Sequence, residues 1–185
     1  MQRKNKGVIR QLYSQMKGEQ QRPIWNCLMF NNDARPKTYF TMWIMMNQRL
    51  VTVDRLAQWG VEVEKTCVLC KNNDENAEHL FIQCNFARRI LGRLLRWIEK
   101  QTNVPMTWVQ FIKWYILHGK GNRSAAQMFK IILAERIYGL WMERNSRIFE
   151  HKGRNEDQLV KEIAYITIVR TSSRLKGNVS HLIVK

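Results

Sequence analysis

Residues 67–84 read CVLCKNNDENAEHLFIQC, and the fold of the whole chain is best read outward from them. The donors run Cys67, two residues, Cys70, eight residues, His79, four residues, Cys84. Two cysteines separated by two residues fit a tight turn that aims both sulfurs at one ion, and His79 with Cys84 fits a short helical turn before a longer helix. Zinc takes three thiolates and one imidazole in a tetrahedron. The intervening KNNDENAE (71–78) reads as a polar surface loop without a donor of comparable softness. The competing reading is four unrelated residues, the cysteines buried as small hydrophobes. The ordered addition of His and Cys at short spacing favours a metal. A catalytic zinc keeps a position open, whereas four strong ligands close the shell, so the pattern predicts one structural Zn2+.

On the upstream side, Thr52 suits an N-cap, Asp54 the first turn, and Gly60 the C′ position of a short helix carrying Leu56 and Trp59. Pro36 fits the start of another helix, with Tyr39, Phe40, Trp43, Ile44 and Leu50 as its buried side. IWNCLMF (24–30) is an apolar run, strand or buried turn, with Cys27 as a core residue. Residues 7–17 read as an amphipathic helix and GEQQR (18–22) as a linker. Downstream, Asn85 caps a helix to about Lys100 striped by Phe86, Ile90, Leu94, Trp97 and Ile98. Thr107 and Gln110 have capping-box spacing before FIKWYIL. A long helix over 124–150 buries Met128, Phe129, Ile132, Tyr138, Trp141, Ile148 and Phe149, weakened locally at Gly139. A last helix spans 156–174 with Leu159, Ile163, Ile166 and Arg170 at helical spacing, although its β-branched centre also suits a strand. The fold class is mainly α: a small zinc-stabilised helical domain followed by a helical C-terminal extension. The divisions are 1–22 (basic helix and linker), 23–100 (zinc-binding domain), 101–175 (extension) and 176–185 (mobile tail).

The chain has 185 residues, 45% of them hydrophobic, enough for a core, and a net charge of +16. Residues 1–60 carry ten basic and three acidic side chains, 61–100 seven and six, and 101–185 fourteen and six. The cysteine segment is nearly neutral between two basic flanks, a balance that favours polyanions, nucleic acid first. Solubility alone also accounts for a basic surface. No stretch approaches the roughly 18 apolar residues of a membrane span. The start lacks the apolar stretch of a secretory signal, and clustered cysteines in a reducing compartment suggest metal rather than disulfides. The expected location is nuclear or cytoplasmic; residues 1–18, basic and without an acid, also have some features of a mitochondrial transit peptide.

KTYFTMWIMMNQRLVTVDRLAQW (37–59), Gly60, CVLC (67–70) and AEHLFIQCNFARRI (77–90) recur in this order in a known family. They resemble the zinc-binding domain that follows the reverse transcriptase in plant LINE-type non-LTR retrotransposons. The resemblance covers about residues 23–98, and IYGLWMERNSRIFEHK (137–152) is more distantly similar to a helix downstream in those elements. It implies a Cys-Cys-His-Cys zinc site on Cys67, Cys70, His79 and Cys84, and a nucleic-acid-binding role assisting reverse transcription. Leu91 stands where the family often has Trp. The Tyr-x-Asp-Asp turn of the polymerase does not occur, nor does any Asp-Asp pair, so the chain reads as a module without the polymerase.

The leading expectation is a non-catalytic module that binds RNA or single strands, with Arg88, Arg89, Arg93 and Arg96 presented by the helix after the last ligand. Those arginines also fit a solvated helix face, and the aromatics, at helical spacing, fit a core. The alternatives are an assembly module for a polymerase or other protein partner, using the 124–150 helix as its surface, and a translated mobile-element relic. No base–nucleophile pair is visible, so an enzyme is not expected. His118, His151 and His181 are read as surface residues without a role.

Overall fold

The computed structural model describes residues 23–29, 32–121 and 123–172. The helix expected over 7–17, the linker at 18–22, Phe30, His181 and the tail from 176 lie outside the described residues. The described chain is helical, with one isolated antiparallel bridge between Thr66 and Asp74. The helices are α1 (Asn26–Met29), α2 (Pro36–Met46), α3 (Val53–Gln58), α4 (Asn85–Trp97), α5 (Trp108–Gly119), α6 (Ser124–Asn145) and α7 (Glu156–Ser172). Two π-helical turns, His79–Gln83 and Ser146–Glu150, adjoin α4 and α6. Among the described residues no helix is long and apolar enough to cross a membrane.

Several local signals around the metal segment hold, but Asn85 is the first helical residue of α4 rather than its cap, since the N-cap position falls on the ligand Cys84, which makes no side-chain cap bond. Pro36 opens α2. At the end of α3, Gly60 takes φ +78°, its N–H donates to Ala57 O, and the Val61 N–H donates to Leu56 O, the paired bonds of a Schellman motif. The capping box of α5 is complete: Thr107 Oγ1 accepts from the Gln110 N–H and Gln110 Oε1 from the Thr107 N–H. Leu91 is buried in α4.

Three expectations are corrected. The 24–29 run forms the single turn α1, which turns Leu28 and Met29 inward and leaves Cys27 exposed, not in the core. On α2 the inner face is Thr38, Thr41, Met42, Met45 and Met46, while Phe40 and Trp43 face solvent. Both sets repeat at helical spacing, so periodicity could not choose between them. The inward set is the one that brings the methionines into the core and Thr38 to Glu135 of α6, which accepts hydrogen bonds from Thr38 Oγ1 and from Arg35. The long helix, finally, is no free surface. α6 lies against α2, α4, α5 and α7, every residue from Phe129 to Ile137 is buried, and Phe149 beyond it is exposed.

α7 forms despite its β-branched centre. Thr167 and Thr171 turn inward below Leu159 and Ile163, and their hydroxyls donate to Ile163 O and Thr167 O, each at 2.8 Å. Threonine thus satisfies its own polar atom inside a helix. The apolar core is one cluster running from Leu28 to Ile163, and it includes Cys67, Leu69, Leu80, Phe81, Ile82 and Cys84 of the metal segment.

Gly139 sits where α6 meets α7: a Cβ there would lie 3.0 Å from Leu159 Cδ1, whereas nothing lies within 4 Å of a Cβ at Gly92 in α4. Gly139→Leu is therefore expected to cost about 1–3 kcal/mol by forcing the helices apart. Gly92→Ala is expected to stabilise by about 0.5–1 kcal/mol through backbone entropy. Urea denaturation of the two variants checks the opposite signs.

Candidate metal centre

The donor atoms of Cys67, Cys70, His79 and Cys84 all lie within 4.8 Å of one another, and Cys70 Sγ is 3.3 Å from His79 Nε2. Around a tetrahedral zinc, with bonds of about 2.3 Å to sulfur, neighbouring donors stand about 3.8 Å apart. Four soft and borderline donors at this separation, mostly buried, fit one zinc ion and leave it no open position. Bound there, zinc supplies cross-linking rather than chemistry.

Backbone geometry brings the donors together. The Thr66–Asp74 bridge closes a knuckle in which the Cys67 N–H donates to Asn73 O and the Lys71 N–H to Cys67 O, with Lys71 in the left-handed region at φ +57°. The second pair depends on the π turn. Asn76 Oδ1 accepts from the His79 N–H at 2.7 Å, and the Cys84 N–H donates five residues back to His79 O at 2.7 Å. That wider ring draws residue 84 back beside residue 79. Cys84 then stands immediately before α4.

Without an ion, the Cys67 thiol is pushed up to about 12, first by its hydrogen bond with Cys84 and then by burial. The Cys84 thiol is lowered, first by that same contact and further by the Ala87 and Phe86 N–H groups at the start of α4. His79 is raised, chiefly by its contact with Cys67. A metal would remove this opposition, since zinc takes both sulfurs as thiolates.

The segment between the ligands is the surface loop its composition suggests over 71–74 and at Asn76, but two of its carboxylates turn inward. Glu75 is buried, and its carboxylate takes a forked ion pair from Arg144 of α6, with Nη2 2.8 Å from Oε1. The same Oε1 accepts from the Val53 N–H at the start of α3, where the Thr52 side chain makes no capping bond. Glu78 Oε2 accepts from the Trp108 N–H at the start of α5. One loop thus caps two helices and binds a third. Arg147 adds to this from beyond α6. It donates to Val68 O and Leu69 O of the knuckle, lies 4.7 Å from the Phe86 ring centroid, and pairs with buried Glu143, which also holds Arg154.

Behind the π turn, the fully buried Arg136 donates from Nη2 to Phe81 O at 2.8 Å and Ala87 O at 3.0 Å, joining the turn to α4. Burial lowers its pKa to about 9, against the pull of nearby Cys84. Three thiolates, one neutral imidazole and Zn2+ leave one net negative charge, for which Arg136 is the buried cation alongside. Glu75, Glu143, Arg136, Arg144 and Arg147 carry no sequence signal that separates them from solvated charges. For Arg136, Glu143 and Arg144 the one available signal is that α6 is apolar around most of its circumference, which leaves its charged residues little solvent face.

The four arginines of α4 are placed differently. Arg88 donates to Pro105 O, Arg89 pairs with Glu156 at 2.6 Å, and Arg93 pairs with Asp157. Arg96 is exposed, and its guanidinium pairs with no described residue. His118 is half-buried rather than a free surface group: it meets Thr102 and the Trp114 and Phe129 rings, and burial lowers its pKa.

Glu75→Ala is expected to cost about 3–5 kcal/mol, because it strands Arg144 in the interior, and Arg144→Met added to it should recover part of that loss. A double-mutant cycle by urea denaturation checks this. Zinc affinity is also expected to fall by at least tenfold per unit of acidification from pH 8 to 6, roughly one proton or more competing for the thiolates. The metal-linked stability is present at the alkaline end and lost as pH falls; competition with a chromophoric chelator measures it.

Comparison with known proteins places these residues in context. No curated protein and no solved structure matches the chain. Residues 8–90 match the family model described as zinc-binding in reverse transcriptase, and the match contains all four donors. The zinc-binding module of this chain is thus related to that of reverse transcriptases.

Proposed function

We propose that this protein is a non-catalytic member of the LINE-type retrotransposon lineage that binds nucleic acid, as RNA or single strands, in the nucleus or cytoplasm. The observation that carries the reading is the family match over residues 8–90, since reverse transcriptases act on nucleic acid. A net charge of +16, distributed on both sides of a neutral metal segment, supports it. The closed set of four protein donors supports a structural rather than catalytic metal.

On α4, the partners of Arg89 and Arg93 are exposed or half-exposed carboxylates. Surface pairs of this kind contribute little, so a phosphate can displace the carboxylate at small cost. Arg96 is available as it stands.

Binding of a fluorescein-labelled single-stranded RNA to the zinc-loaded full chain is expected to weaken steeply with salt. The logarithm of affinity should fall linearly with that of salt, by roughly 0.7 per phosphate contacted. Fluorescence anisotropy between about 50 and about 200 mM salt checks this. Absent binding, or affinity that does not respond to salt, contradicts the proposal.

A further inference from the structure

The outer face of α2 holds two large rings away from the core. Phe40 is 60% exposed and Trp43 is 42% exposed, and their rings stack with centroids 6.4 Å apart and planes 15° from parallel. One helical turn before Phe40 stands Lys37, whose ammonium lies 5.2 Å from the Tyr138 ring centroid. Lys37 and Tyr138 line a groove of about 440 Å3 that continues past Met142 to Lys152 and Arg154.

The charges in this groove are unevenly committed. Arg35 is taken by Glu135, and Arg154 by Glu143 and Glu162. Glu150, the other acid of the groove, accepts from Ser146 Oγ. Lys37 and Lys152 pair with no carboxylate among the described residues. The result is a ledge of stacked aromatic faces leading into a groove with two ammonium groups that have no carboxylate partner among the described residues.

We propose that this surface is the track for a single strand of nucleic acid: bases stack on Phe40 and Trp43 while phosphates pass Lys37 and Lys152. The inference rests on the nucleic-acid reading above and locates it. A flat ring can take a base face only where that face is not already stacked and paired within a duplex, so the ledge selects single strands. An apolar protein partner would cover the rings but desolvate the two lysines without an acid to meet them. A phosphodiester chain satisfies both needs at once, and the excess of positive charge draws it in.

The test uses the zinc-loaded full chain and a labelled oligouridylate of about twelve nucleotides, within the usual range of single-strand site sizes. The Phe40→Ala/Trp43→Ala double variant is expected to bind about tenfold or more weakly with an unchanged salt slope. Trp43→Phe keeps a ring face and should stay within about threefold of wild type. The Lys37→Gln/Lys152→Gln double variant should flatten the salt slope by about 1.4, the share of two phosphates. Wild-type binding that the aromatic double variant retains in full overturns this inference and leaves the nucleic-acid reading standing. Absent binding by the wild type overturns both. Should the aromatic variant lose zinc or melt early, the lysine variant decides, and an unchanged slope there overturns the track.

Discussion

The structure depends on the closure of residues 67–84 around one point. The knuckle and the π turn carry two donors each, and neither element is long enough to hold itself in place. A tetrahedral metal joins them into one rigid loop, and in peptide systems such sites contribute roughly 10–16 kcal/mol of apparent binding free energy at neutral pH. The consequence reaches well beyond the loop. Glu75 and Glu78 lie between the ligands, and through them the position of the metal sets the starts of α3 and α5 and the pairing with Arg144 on α6.

This explains why α6 belongs with the metal segment although it lies far along the chain. Arg136, Arg144 and, just beyond the helix, Arg147 all donate to the metal segment or its flanks. Arg144 and Glu75 are buried as a pair, which costs less than burying either alone. The pair Glu135–Arg35 does the same for α2 on another face of α6. A helix covered on most of its faces leaves its charged residues little solvent, so those turned inward must find partners in the interior.

What the sequence could reveal follows from that distinction. Signals that act locally were legible: the four donors, the Pro36 start, Gly60 at the end of α3, and the Thr107–Gln110 box. Each is set by backbone chemistry within a few residues. Signals that depend on what packs against a helix were not. Phe40 and Trp43 share helical periodicity with Thr38, Met42 and Met45, and the inward set is the one that brings Thr38 to Glu135 and the methionines into the core. Glu75 looks like any loop acid until Arg144 is placed beside it. The loop composition suggested solvent, and the structure uses two of its carboxylates as caps. Of the four α4 arginines, two meet the acids that open α7, a pairing between residues too far apart in sequence for pattern reading to detect.

The most direct test of the account is zinc content and coordination in the purified full chain, by elemental mass spectrometry with X-ray absorption. One zinc per chain is expected, with three sulfurs at about 2.3 Å and one nitrogen at about 2.0 Å. A well-folded chain without zinc, or an ion held mainly by oxygen, would contradict it.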